Sequence, residues 1–167
     1  MATKNKKKNN NILKYIPAVI VGIIAFLVVF FLVQPPEKEQ TATYRYTDNN
    51  GTTIEMTYYA KGDRVYKQTA NNIIPYSALG VKSAEEAKEV LEDVMARNQG
   101  VKGYTDEIEY KKDVIIETVT VDYNVANIDD IKNLQGAFFN DGDTKNGISF
   151  KKSIELLEKN GFSKVEE

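Results

Sequence analysis

Acid and base chemistry in this 167-residue chain falls to carboxylates, lysines and tyrosines, because the sequence has no cysteine and no histidine. Disulfides, a thiol nucleophile, a Cys/His zinc site and a Ser-His-Asp triad are therefore excluded. A hydrolase built here would need carboxylates, Lys or Tyr as its acid and base. The adjacent acids are Glu85-Glu86, Glu92-Asp93 and Asp129-Asp130, the kind of pairing a glycosidase or proton-transfer site uses. Helical periodicity places the first two pairs on the exposed side of one helix and the third at the start of a short one. Acids near helix N-termini are favoured by the macrodipole without any catalytic role. No catalytic, metal or cofactor residue is assigned on these grounds, and the expectation is a protein that is not an enzyme.

One stretch has the outline of a cation loop. Asp141 to Lys152 (DGDTKNGISFKK) puts Asp141 and Asp143 at positions 1 and 3 of an EF-hand and Ile148 at position 8. Position 5 is Lys145, position 6 is Asn146 instead of Gly, and position 12 is Lys152 where a bidentate Glu belongs. The segment reads as a polar loop leading into a helix. Phosphate chemistry has no foothold either: there is no G-x-G-x-x-G or G-K-[ST] loop, and the lysines form no stripe.

Tyrosine is the remaining reactive or sticky residue type. Tyr44, Tyr46, Tyr58, Tyr59, Tyr66, Tyr110 and Tyr123 fall in predicted strands. Tyr suits strands and tolerates half-burial with a wet hydroxyl, so most of these are read as structural. Tyr59, with Arg45 and Glu55 on the outward face, is the expected exception and could grip a glycan or partner protein.

The elements that must carry these residues are legible from periodicity. Thr41 to Asp48 alternates Ala42, Tyr44 and Tyr46 against Thr43 and Arg45; Asn49-Asn50-Gly51 then turns the chain. Thr52 to Ala60 places Ile54, Met56 and Tyr58 on one face, Lys61-Gly62-Asp63 turns again, and Arg64 to Ala70 is a third strand. Ser83 with Glu86 forms an S-x-x-E capping box for a helix whose stripe is Ala84, Ala87, Leu91, Val94 and Met95, widened by Val90 and ended before Gly100. Tyr104 to Tyr110 and Val114 to Tyr123 are two further strands, the second so apolar that it is expected to be central. Asn127 to Leu134 is short and helix-like, ending at Gly136. Ser149 to Asn160 is an amphipathic helix with Phe150, Ile154 and Leu157 inward and a Schellman-type stop at Gly161 and Phe162. The order predicts an α+β fold: an antiparallel sheet of about five strands with two to three helices.

Ahead of this domain stands Tyr15 to Val33, nineteen uncharged residues of which fourteen are Ile, Leu, Val or Phe. As a helix it would cover about 28 Å, close to the hydrocarbon thickness of a bilayer. Lys4, Lys6, Lys7, Lys8 and Lys14 precede it, which orients the N-terminus to the cytoplasm. A cleaved signal peptide fits less well, since its core is shorter and Gln34-Pro35-Pro36-Glu37 has no small-residue cleavage site. The expected organisation is a cytoplasmic tail 1–14, a transmembrane helix 15–33, a linker 34–40 and an extracytoplasmic domain 41–167. None of the 24 acidic residues precedes the span, so the exported part is acidic and unsuited to nucleic acid.

Tyr59 to Gln68 (YAKGDRVYKQ), the Ala84 to Leu91 helix, Leu134-Gln135-Gly136 and Gly147 to Phe162 (GISFKKSIELLEKNGF) together resemble the YehR-like lipoprotein family. The similarity spans Thr41 to Val165, with the K-G-D-x-V-x-K-Q turn and the final helix ending in G-F as its most specific pieces. The resemblance implies a small α+β domain held outside the cytoplasmic membrane and, as a domain of unknown function, implies no activity. Relatives commonly carry a lipidated cysteine; this chain has none, so the apolar span would take over as tether. The functional expectation is a non-enzymatic binding module at the bacterial cell envelope, recognising an envelope protein, a polymer or a small ligand. The alternatives are an accessory subunit of an envelope complex and a carboxylate-based hydrolase, which would need two acids facing each other in a cleft.

Overall fold

Strict alternation of large apolar and polar side chains builds one antiparallel sheet with a packed face and a polar face. The computed structural model describes residues 37–132, 134 and 147–166. The expected tail 1–14, the span 15–33, the 34–36 part of the linker, Gly136 and the 141–146 part of the loop lie outside the described residues. Among the described residues no helix is long and apolar enough to cross a membrane.

The described domain is a compact unit from Lys38 onward. Its strands are β1 (Glu39–Thr47), β2 (Thr53–Lys61), β3 (Arg64–Pro75), β4 (Tyr104–Tyr110), β5 (Val114–Asp122), β6 (Ile148–Ser149) and β7 (Ser163–Lys164). They pair in the order β4-β5-β3-β2-β1-β7, and β6 joins β3 at Arg64 and Val65, where β5 has left off. Among the described residues three α-helices are interleaved with the strands: α1 (Ala84–Asn98) between β3 and β4, α2 (Ile128–Lys132) between β5 and β6, and α3 (Phe150–Lys159) between β6 and β7.

The register aligns side chains in ranks across the sheet. On the packed face Tyr46, Ile54, Asn72, Glu117 and Ile108 form one rank, and Tyr44, Met56, Ala70, Val119 and Asp106 form the next. On the opposite face Thr43, Thr57, Thr69, Thr120 and Thr105 line up across five strands, with Thr43 and Thr57 hydroxyls 2.9 Å apart. All three helices lie on the packed face. Leu157 of α3 is buried against Tyr44, Met56, Tyr58 and Val65, while Ala87 of α1 is buried against Tyr76 and Ile115. Ile131 of α2 is also buried.

Several expectations are corrected. The sheet has seven strands instead of about five, because β6 and β7 are two-residue strands too short to carry a periodic signal. β3 runs on to Pro75; Asn71 and Asn72, poor strand formers, are held by pairing to β2 on one side and β5 on the other. β5 lies second from the edge, and β3 occupies the middle, since hydrophobicity reports burial and not position in the sheet. Val90 is 52% exposed and does not widen the α1 stripe. The Ser83 cap forms as expected, with its Oγ accepting from the Glu86 N–H, but the Glu86 carboxylate reaches back to the Lys82 N–H, one residue earlier.

Candidate ligand-binding cavity

The two apolar clusters do not meet. α1 covers the sheet at the β4–β5 side and α3 at the β1–β2 side, and between them a cavity of about 550 Å³ opens over the middle of the sheet. Its floor is the packed face of β2, β3 and β5: Ile54 and Met56, then Gln68, Ala70 and Asn72, then Glu117, Val119 and Val121. Ile131 and Leu134 wall one side, and Asn160 and Phe162 another. Phe162 owes its place to the stop of α3. Gly161 adopts a left-handed φ of 85°, and the N–H groups of Gly161 and Phe162 donate to the Glu158 and Leu157 carbonyls. That turn sets Phe162 against Tyr46, ring centroids 5.3 Å apart.

Three polar side chains of the floor interrupt an otherwise apolar lining. Asn72 Nδ2 donates to Glu117 Oε2 at 2.5 Å, while Asn72 Oδ1 is buried and accepts nothing. Burial pushes the Glu117 carboxyl above the usual range; the Asn72 donor opposes that shift and the nearby Asp106 carboxylate adds to it. Gln68, only 9% exposed, accepts from the Tyr123 hydroxyl at 2.7 Å through Oε1, and its Nε2 donates to none of the described residues. Tyr123 is raised mainly by burial, as is Tyr104, whose hydroxyl donates to Asp106. Asn98, at the end of α1 and 5% exposed, donates a long hydrogen bond to the same carboxylate oxygen. The remaining oxygen of Asp106 and Oδ1 of Asn98 are buried without partners.

The acids singled out from sequence lie elsewhere. Glu85 and Glu86 occupy the first turn of α1, Glu92 and Asp93 are exposed further along it, and Asp129 and Asp130 open α2. None lines the cavity. The two carboxylates brought onto one face beside the cavity are Glu117 and Asp106. Their signal was present: Glu117 alternates with Ile115, Val119 and Val121, and Asp106 with Tyr104 and Ile108, so each is a charge on an apolar stripe. Tyr59 does lie on the polar face with Arg45 and Glu55, as expected. Arg45 is already paired with Glu55 at 2.5 Å, and the Lys67 ammonium lies 4.1 Å from the Tyr59 ring centroid, so these groups satisfy one another. Of the loop resembling an EF-hand, the described part 147–152 forms β6 and the start of α3, and among the described residues no group of three acids is placed to hold a metal. The K-G-D turn has a structural use. Asp63 Oδ1 accepts from the Lys151 N–H at 2.8 Å and Oδ2 from the Ser149 hydroxyl at 2.7 Å, tying the β2–β3 turn to the start of α3.

An antiparallel sheet with helices on one face and a cavity between two cores defines a small α+β domain. The chain belongs to the family described as "Protein of unknown function (DUF1307)", which matches residues 40–163. It is 39% identical over 143 residues to the uncharacterized lipoprotein Lmo0207 of Listeria monocytogenes, covering 86% of this chain and 92% of that one. The uncharacterized lipoprotein YehR of Escherichia coli is 27% identical over 143 residues, covering 86% and 93%. The solution structure of YehR superimposes with a TM-score of 0.67, covering 77% of this chain and 92% of that one.

Proposed function

We propose that this protein is a membrane-anchored, extracytoplasmic binding module whose central cavity holds a small, largely apolar ligand. The observation that carries this reading is the cavity itself. A well-packed domain rarely leaves about 550 Å³ between two cores, and an apolar pocket with a few convergent polar groups is the usual form of a ligand site. Binding without turnover is favoured because, of the two acids on this face, Glu117 lines the cavity and Asp106 does not, so among the described residues no pair of acids faces across it. Placement outside the membrane is supported by the Lys-rich flank, by the apolar run 15–33 and by relatives named as lipoproteins. With no cysteine to carry a lipid, that run is the tether in this reading.

The test is to purify the full chain from membranes in mild detergent and analyse what it releases on denaturation. Wild-type protein is expected to release a small molecule that a cavity-filling Ala70→Phe variant does not. Ala70 lies on the cavity floor, and the variant's thermal unfolding reports whether it is folded. A folded Ala70→Phe variant that carries the same molecules in the same amount would overturn the cavity as the binding site.

A further inference from the structure

We propose that the ligand of this cavity is an apolar primary amine, its ammonium seated between the Glu117 carboxylate and Asn72 Oδ1. The inference rests on the cavity being the binding site and adds the chemistry of what enters it. Glu117 and Asp106 lie on one sheet face, on adjacent strands and in neighbouring ranks, so their charges share one low-dielectric region. Neither Glu117 nor Asp106 is paired with a lysine or arginine among the described residues, in contrast to Glu55 with Arg45, Glu39 with Lys61 and Glu109 with Lys111. A buried carboxylate without a countercharge is costly, and a second one nearby increases the cost. A cation delivered by the ligand would remove both penalties.

Hydrogen-bond accounting points the same way and does not depend on charge. At the Glu117 end the unfilled positions are acceptors: Asn72 Oδ1 is buried with no donor, and among the described residues Glu117 accepts at Oε2 alone, from Asn72. An ammonium has three donors and no acceptor, which matches that set; an alcohol supplies one donor and brings lone pairs of its own, and a carboxylate supplies no donor. Four residues along β3, about 13 Å away at strand rise, the polarity reverses: Gln68 presents a donor Nε2 from an almost fully buried side chain. Ala70, Met56 and Val119 lie between the two amides and offer only apolar contact. The preferred ligand thus has an ammonium at one end, an apolar body, and an oxygen acceptor on that body within reach of Gln68.

Three water-soluble probes of one shape separate this proposal from the cavity reading beneath it: phenethylammonium, neutral 2-phenylethanol and anionic phenylacetate. Each is titrated calorimetrically against the full chain in lipid nanodiscs, with empty nanodiscs subtracted. The ammonium is expected to bind roughly tenfold or more tightly than the alcohol, the size of a charge-assisted hydrogen bond, and phenylacetate is expected to bind weakest. Glu117→Gln is expected to bring the ammonium and the alcohol within about threefold while leaving alcohol binding intact, since the amide keeps shape but not charge. Glu107→Gln, on the same edge of the sheet but the opposite face, is expected to change nothing. Equal binding of ammonium and alcohol, or a preference for the ammonium that survives Glu117→Gln, would overturn the amine assignment and leave the cavity standing. Failure of all three probes to bind would overturn the amine assignment together with the cavity.

Discussion

At the scale of single residues, Glu117 is a carboxyl set into the packed face, and sequence alone did not single it out. Alternation within VIIETVTVDY puts Glu117 among inward-facing Ile115, Val119 and Val121. What periodicity cannot supply is the neighbour across the strand, and Asn72 is 45 residues away in the chain. The energetic consequence has a definite sign. A carboxyl whose folded value is raised binds its proton more tightly in the folded state, so the group favours folding at low pH and opposes it as the pH rises through that raised value. Glu117→Gln keeps the acceptor for Asn72 and removes the charge. In the ligand-free protein it is expected to raise the thermal midpoint at neutral pH by roughly 2–5 °C, with the difference shrinking toward pH 4. A midpoint difference equal at both pH values would show that burial of the charge is not what Glu117 costs.

Gly103 makes the opposite case, a residue whose role is set by backbone alone. Its φ is +77°, and a Cβ built there would stand 2.6 Å from the Ala126 backbone nitrogen. Its carbonyl accepts from the Asp122 N–H, closing the chain that enters β4 against the end of β5. Gly103→Ala is expected to destabilise by about 1–3 kcal/mol through both strain and collision. Urea unfolding measures it, and a loss no larger than that of an exposed helix-site substitution would contradict the assigned crowding.

At the scale of elements, local chemistry predicted more than long-range pairing did. The Ser83 cap, the turns at Gly51 and Gly62 and the Schellman stop at Gly161 are encoded within six residues each, and all form. β6, β7 and the extension of β3 depend on partners far along the chain, so their sequences carry little trace of them. Asp63 joins the two levels. It sits in a turn legible from sequence, yet its carboxylate caps α3 nearly ninety residues later, through the Lys151 N–H and the Ser149 hydroxyl. Those hydrogen bonds, the backbone one foremost, hold its carboxyl below the usual range. Stability from such a group is present above the ordinary aspartate range and lost as the pH falls through the lowered value. Asp63→Ala is expected to cost about 1 kcal/mol at neutral pH, as loss of a helix cap does. The gap from wild type should close on acidification; a gap that persists at pH 2–3 would mean that the turn, and not the charge, supplies the stability.

At the scale of the whole molecule, the charge of the domain and the proposed tether are to be weighed together. A sheet covered by helices on one side only leaves its other face to water, with the five-threonine rank as its midline and charged residues around it. The acidic balance of everything after residue 33 suits a domain held near, but not lying on, an anionic bilayer surface. In the proposed topology the run 15–33 carries the attachment. A single lysine at its midpoint, Ile24→Lys, costs about 3 kcal/mol of insertion energy, close to half of what the apolar residues supply. The expected result is a marked shift of the protein from the membrane pellet to the soluble fraction, with the thermal unfolding of the domain unchanged because the substitution lies outside the folded unit. Protease added to intact wall-stripped cells gives the orientation: residues 41–167 should be lost and the Lys-rich tail spared. Retention of Ile24→Lys at the wild-type level would mean that something other than the apolar run holds the protein, and protection of the domain from protease would reverse its assigned side.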